Sequence, residues 1–162
     1  HRPLLAAFIA ATGSEALFVL VPSLLSGSIG RGSTVLVYGL SSIASSVALV
    51  VTARLPGRRA LAALAAVARA AVIPSALYVT GVAEATLYLM STAVLFSVFN
   101  TSGYDVYVNS TAGERTFLYG VAVELGTAVG SALGGLLASY YGVWPVVALA
   151  VVGHVLASLL YA

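Results

Sequence analysis

The sequence predicts an all-α membrane protein, a single domain of six transmembrane helices. Of its 162 residues, 60% are hydrophobic and 7% are charged, whereas about 25% charged residues are usual in soluble domains. The mean hydropathy is +1.06. A hydrocarbon core of about 30 Å takes about 20 apolar residues per crossing, so the length allows about six helices embedded in a lipid bilayer. Too little chain remains for a soluble domain.

Six apolar segments follow one another, separated by short loops that carry glycines or charges. Proline lacks the backbone N–H that a helix interior needs, so Pro22 and Pro74 are expected to interrupt the first and third helices. The predicted helices span about residues 3–25, 33–51, 60–79, 85–107, 116–140 and 144–161.

The arginines predict how the helices are oriented. Five of them, Arg2, Arg54, Arg58, Arg59 and Arg115, flank the first terminus and the second and fourth loops. Only Arg31 lies in an odd loop. By the positive-inside rule, both termini of this multi-pass protein are expected in the cytoplasm, at the cell membrane. Because the sequence begins at His1 without an initiator Met, we also expect it to be part of a longer chain.

Composition excludes several function classes. The net charge of +2 is spread over the loops, so no nucleic-acid partner is expected. The chain has no cysteine, which rules out disulfides and thiol nucleophiles. Its two histidines lie far apart in the sequence and form no metal-ligand motif. We therefore expect neither a metal nor another cofactor.

The fifth segment, residues 120–139, combines small residues with a carboxylate. The small residues recur at every fourth position: Ala122, Gly126, Gly130, Gly134 and Ala138. They form one stripe of a helix, which allows close packing against another helix backbone. Glu124 lies on the other side of the helix, and Thr127 and Ser131 share its face. We expect this polar face to line a cavity inside a bundle.

Four ionisable residues are predicted within the spans: Glu15, Arg69, Glu124 and His154. A charge at the bilayer centre costs at least about 2.5 kcal/mol, so such residues are candidates for a functional site. At about 1.5 Å per residue, all but Glu15 lie near the midplane, and Glu15 is somewhat further from the inner side.

Arg69 lies too far in to reach either interface, so it needs a carboxylate, backbone carbonyls or water as a partner. Glu124 matches its depth best, and Glu15 next. Two interpretations stay open: a buried structural pair of Arg69 with Glu124, or a carboxylate that titrates during transport, for which Glu124 is the leading candidate. For His154, a structural hydrogen bond is favoured over a proton relay.

Two further segments carry polar stripes. In the second segment Tyr38, Ser41, Ser42, Ser45 and Thr52 share a helix face, and in the fourth Ser97, Asn100 and Tyr104 do so. Asn100 is the costliest of these to bury without a partner, which makes it a candidate cavity residue. The candidates for a substrate or ion pathway are Glu15, Tyr38, Ser42, Asn100, Glu124, Thr127 and Ser131.

Two motifs resemble those of the major facilitator superfamily. Residues 126–135, Gly-x-x-x-Gly-Ser-x-x-Gly-Gly, resemble the glycine motif of helix five in its antiporters, with Ser131 in place of a proline. In the second loop, Gly57, Arg58 and Arg59 agree with the family's cytoplasmic motif G-x-x-x-D-R-x-G-R-R. That motif's aspartate is replaced by Arg54, which favours the C-terminal half of a twelve-helix transporter.

The resemblance implies two inverted three-helix repeats. Helices one and four would line a cavity, helices two and five would flank it, and helices three and six would lie outside. Glu15 and the polar stripes would then lie near the cavity. Arg69 and His154 would lie on the outer helices, as structural charges. Gly126, Gly130, Gly134 and Gly135 would serve helix packing.

The function that this implies is half of a secondary active transporter, moving a small solute, with protons as a candidate coupling ion, by alternating access. Its partner would be a second six-helix half, in the same chain or in a dimer. A non-transporting scaffold or degenerate half is the alternative. An intramembrane serine protease using Ser131 and His154 is disfavoured, because Val129-Gly130-Ser131-Ala132 lacks the Gly-x-Ser-Gly setting of the rhomboid-like family. We therefore expect no enzyme activity.

Overall fold

The computed structural model describes residues 2–55, 58–111 and 115–162. Within these ranges a 3₁₀ helix, Ile73–Tyr78, continues the fourth α-helix. The α-helices are α1 (Arg2–Phe18), α2 (Val21–Ile29), α3 (Arg31–Thr52), α4 (Arg58–Val72), α5 (Val82–Ser110), α6 (Phe117–Tyr141) and α7 (Val143–Tyr161).

Six stretches of the described chain are long and apolar enough to cross a membrane. The first consists of α1 and α2, the third of α4 and the 3₁₀ helix, and the others of single helices. Their bounds lie within a few residues of those predicted. The prediction of an all-α protein with six helices long and apolar enough to cross a membrane is confirmed for the described residues.

Both expected proline interruptions are present. Pro22 lies in the first turn of α2, after a break at Val19 and Leu20, and Pro74 lies in the first turn of the 3₁₀ helix that follows α4. The N–H groups of a first helical turn have no intrahelical acceptor, so proline loses nothing there. Each proline therefore begins a new helical element.

α1 packs against α6 through glycine contacts. Gly126, Gly130 and Gly134 face the backbone carbonyl oxygens of α1 residues 8, 12 and 16 in turn. These contacts advance by four residues along both helices in the same direction, so α1 and α6 run parallel. A Cβ added at Gly126 would lie only 2.5 Å from the Phe8 carbonyl oxygen. Gly135, grouped with these glycines from the sequence, has open space beside it and takes no part in the contact.

α7 crosses the other side of α1, and glycines again bring the backbones together. A Cβ on Gly13 would lie 3.1 Å from the Cα of Ala150, and one on Gly153 would lie 3.1 Å from the carbonyl oxygen of Ile9. Higher residue numbers on α7 meet lower ones on α1, so these two helices are antiparallel. α4 packs against α5 and α7, while α3 packs against α5.

Two apolar clusters lie on either side of a polar layer. One is rich in alanine and includes Ala6, Ala66, Phe99, Ala157 and Tyr161. The other includes Leu17, Ile73, Leu89, Val146 and Ala150. Polar residues of α1, α4 and α7 lie between the two clusters, among them Ser14, Arg69 and His154.

An ion pair links the start of α4 to α5. Arg58 Nη1 lies 3.2 Å from Asp105 Oδ2. Arg58 also donates hydrogen bonds to the carbonyl oxygens of Thr52 and Ala53, which are free because they end α3. Of the predicted loop motif, Arg59 is exposed and Gly57 lies outside the described residues.

α3 and α6 are the least buried of the spans. In each of these two helices only 17% of an 18-residue apolar stretch is buried, whereas the buried share is 33% or more in the other four spans. Large apolar side chains follow the exposed face of α6: Val121, Leu125, Val129 and Leu136. Such a face suits contact with lipid or with another helix.

Candidate functional site

A cavity of about 270 Å³ lies between α1, α3, α5 and α6, with Arg69 of α4 reaching its wall. It opens at the surface of the bundle, where Phe18 is 44% exposed and Ser42 is exposed. Its polar lining consists of Ser14, Glu15, Tyr38, Ser41, Ser42, Ser45, Arg69, Thr92 and Thr127. The remaining lining residues are Ala11, Phe18, Leu89, Ala93, Phe96 and Val123.

The polar stripe of α3 forms one wall of this cavity. Its serines lie three, four and seven residues after Tyr38 and therefore share a helix face. Ser41 and Ser42 donate hydrogen bonds to the Tyr38 carbonyl oxygen, at 2.8 and 3.0 Å. Ser45 Oγ lies 2.5 Å from Ser97 Oγ of α5, which ties the two helices together. The buried Tyr38 hydroxyl has no partner in the described chain, so it is available to a ligand.

Arg69 is held by side chains from α1, α5 and α7. It is only 8% exposed. Its Nη1 lies 2.5 Å from Ser14 Oγ and 3.0 Å from His154 Nε2. The ring of Phe96 lies under the guanidinium, 4.5 Å from its central carbon, at a distance typical of cation–π contacts. The charge of Arg69 is therefore fixed in one place at the cavity wall.

The hydrogen-bond network assigns the protons of this cluster. His154 is fully buried, and its Nδ1 lies 2.7 Å from the Ala150 carbonyl oxygen, which can only accept. Nδ1 therefore carries the proton, and Nε2 accepts from Arg69. Ser14 donates its own hydrogen to the Ala10 carbonyl oxygen at 2.7 Å and accepts from Arg69. Both partners of Arg69 are thus neutral.

Arg69 does not pair with Glu124. In the described ranges no carboxylate lies within ion-pair distance of Arg69, and Glu124 is exposed on α6, outside the cavity lining. Depth along a helix follows from counting residues, but a pair also needs both side chains to point at each other. Val123 and Thr127 face the cavity, and one residue of rotation, about 100°, turns Glu124 away from it.

Glu15 is the carboxylate that lines the same cavity as Arg69. It follows Ser14 directly on α1. The same wall of the cavity therefore carries the carboxylate of Glu15 and the hydroxyl of Ser14 that accepts a hydrogen bond from Arg69. Glu15 Oε1 accepts a hydrogen bond from Ser131 of α6 at 3.3 Å. Ser131 is not itself a lining residue, but it is connected to the cavity by this hydrogen bond to Glu15.

Asn100, predicted as a cavity residue, does not line this cavity. It lines a separate surface depression of about 290 Å³ together with Leu49, Tyr104 and Tyr119. Its side-chain oxygen is buried without a partner in the described chain, and its carbonyl oxygen accepts from the Tyr119 hydroxyl at 3.3 Å. Of the predicted pathway residues, the cavity therefore gathers Glu15, Tyr38, Ser42, Thr127 and, indirectly, Ser131.

Sequence reasoning missed Ser14, Thr92 and Phe96. Ser14 could have been found from its depth, which resembles that of Arg69, and from its position beside Glu15. Phe96 carries no such signal, because an aromatic ring in an apolar segment looks the same whether it faces lipid or a cation. The protease pairing of Ser131 with His154 is not formed, since Ser131 bonds Glu15 and His154 contacts Ser14 and Arg69.

In the described ranges no three His, Asp or Glu side chains come together as a metal site would require. No model of a known protein family matches this sequence, and comparisons with curated proteins and with solved structures give no significant match, so the functional argument depends on the cavity itself.

Proposed function

We propose that the chain is one six-helix half of a secondary transporter of the major facilitator type, moving a small solute by alternating access. The observation that carries this proposal is the cavity, which brings Arg69, Glu15 and a row of hydroxyls together between apolar clusters. Ionisable residues inside a membrane are expensive and mark substrate or ion pathways.

The helix contacts support two inverted three-helix repeats. When the first three spans are matched with the last three, the contact of α1 with α6 corresponds to that of α5 with α3. The contact of α1 with α7 likewise corresponds to that of α5 with α4. α4 and α7 are the third and sixth spans, so the matching exchanges one for the other and their contact corresponds to itself. Repeats of this kind, with a site near the midplane, are common in secondary transporters.

The exposed surface supports a second half as partner. α3 and α6 both border the open cavity, and both leave most of their apolar surface uncovered. A second six-helix bundle, in the same chain or in a second copy, would cover these faces and close the cavity around the solute. Lipid would then cover the outer helices.

Within this proposal Glu15 replaces Glu124 as the coupling carboxylate. Glu15 lines the cavity that holds Arg69, and its one side-chain partner in the described chain is the hydroxyl of Ser131. A proton taken up by Glu15 would change the charge of the cavity by one unit. Glu124, on the exposed face, would instead meet lipid or the second half.

Uptake by proteoliposomes tests the proposal. Under an imposed proton gradient, wild-type protein reconstituted together with its second half, either the rest of its own chain or a second copy, should accumulate at least one member of a panel of small labelled solutes. Glu15→Gln should still exchange that solute down its gradient but no longer concentrate it, because the variant cannot take up a proton. The matched variant Glu124→Gln should accumulate it like wild type.

Two results would count against this account. A folded wild-type protein that moves no solute of the panel would favour the alternative function, a non-transporting membrane scaffold. Loss of accumulation in Glu124→Gln, with Glu15→Gln unaffected, would return the coupling role to Glu124.

A further inference from the structure

We propose that the cavity binds its ligand through a carboxylate group, held by the guanidinium of Arg69, and that the ligand is a small monoanion. The ligand is a transported solute only if the function proposed above is right. Binding at Arg69 can be measured without any transport.

The positive charge of Arg69 is buried and has no ion-pair partner in the described chain. Arg69 is 8% exposed and lies between the two apolar clusters, where a lone cation is costly. Its hydrogen-bond partners, Ser14 and His154, are neutral, and in the described chain no carboxylate lies within 4.0 Å of it. Glu15 lines the same cavity but lies beyond this distance, so an anion bound at the guanidinium would supply the direct ion pair that Arg69 lacks.

One edge of the Arg69 guanidinium makes no hydrogen bond in the described chain. Nη1 makes the hydrogen bonds to Ser14 and His154. In the described chain neither Nε nor Nη2 has a partner; Nε is fully enclosed, whereas Nη2 is not. These two nitrogens form the fork of parallel N–H groups that matches two oxygens of one carboxylate. A ligand would meet Nη2 first and reach Nε by a small displacement of the side chain.

The guanidinium of Arg69 is also preorganised for binding. Ser14 and His154 hold one end of the guanidinium, and the Phe96 ring covers one face. A side chain held in this way loses little rotational freedom when an anion binds, which favours affinity. The fold thus presents a fixed cation to the cavity.

The same cavity limits the ligand's size and charge. Its volume of about 270 Å³ is just below the range usual for ligand sites, about 300–1,000 Å³. Glu15 in its wall would repel a second negative charge. A monocarboxylate therefore fits better than a dianionic phosphate.

NMR of the arginine side chains tests the proposal, with benzoate as the probe and benzamide as its uncharged counterpart of nearly the same shape. The protein is labelled with ¹⁵N-arginine and placed in nanodiscs of phosphatidylcholine. Replacing the other six arginines, all near helix ends, with lysine leaves Arg69 as the one arginine signal. If that variant does not fold, the enclosed Nε–H of Arg69 is recognised in wild type by its slow exchange with water.

Benzoate should shift the Arg69 Nε–H signal saturably, and benzamide should bind at least tenfold more weakly. Equal shifts with both probes, or none with benzoate, would overturn the proposal. A shift with inorganic phosphate alone would overturn the choice of a carboxylate. A shift caused by adding phosphatidylglycerol without probe would assign the site to a lipid headgroup instead of a soluble ligand.

The result separates this inference from the proposed transport. If the protein accumulates a solute while benzoate leaves Arg69 unshifted, the anion site is wrong and the transporter stands. If benzoate binds at Arg69 but no solute crosses the membrane, the anion site stands and the transporter is wrong.

Discussion

At the scale of residues, three side chains from three different helices set the character of the bundle. Ser14, Arg69 and His154 meet in the layer between the apolar clusters, and the hydrogen bonds that Arg69 donates to Ser14 and His154 each join two separate spans. Such a network fixes how the helices sit relative to one another, because a charged donor left without its acceptors inside the bundle is costly.

This network predicts that Ser14→Ala destabilises the protein by about 1–2 kcal/mol, since Arg69 loses one of its two acceptors. The matched control is Ser46→Ala. Ser46 is exposed on α3 and bonds only the carbonyl oxygen of Ser42, so its loss should change stability by about 0.5 kcal/mol or less. Reversible unfolding in mixed micelles measures both. Equal effects would mean that the hydrogen bond of Ser14 to Arg69 adds nothing.

The sequence predicts which residues lie deep in the membrane but not which of them meet. The depths of Arg69 and His154 followed from counting residues, and the two are in hydrogen-bond contact. The partner of Arg69 depended on the rotation of α6 about its own axis, which a residue count does not determine. Glu124 has a suitable depth but lies outside the cavity lining, whereas Glu15 of α1 lines the cavity that Arg69 also lines.

At the scale of elements, the contact of α1 with α6 shows how much a pattern of small residues can determine. The four-residue spacing of Gly126, Gly130 and Gly134 matches the four-residue spacing of the carbonyl groups they face on α1. A spacing in one helix can therefore predict close approach, because both backbones have the same period. It could not identify α1 as the partner, and it could not exclude Gly135.

Two alanine substitutions five residues apart should have opposite effects. Gly130→Ala places a Cβ against the carbonyl group of Thr12 and should destabilise the protein by about 1–3 kcal/mol, the usual cost of overpacking. Gly135→Ala meets open space and should stabilise the helix by about 0.5–1 kcal/mol, because alanine favours a helix over glycine. Unfolding midpoints in a denaturing detergent would measure both. If both changes destabilise equally, the packing described for α6 is wrong.

At the scale of the whole molecule, the sequence predicts the number and bounds of the spans well, since apolar length alone decides them. The cavity was less accessible to prediction, because it depends on the mutual rotation of four helices. The polar stripe of α3 pointed to it, whereas the role of α4 did not emerge: Arg69, expected outside the cavity, reaches its wall. The inward orientation of both termini stays a prediction from the arginine count.

The central claim is that the cavity opens to each side of the membrane in turn, and single-cysteine labelling tests it most directly because the chain has no native cysteine. Ser42→Cys places a thiol in the cavity, and Ser46→Cys places one a turn further along α3, outside the cavity lining. In sealed vesicles of either orientation, a membrane-impermeant thiol reagent should label Ser42→Cys from both sides and Ser46→Cys from neither. Labelling of a folded Ser42→Cys protein from one side only, or from neither, would contradict alternating access.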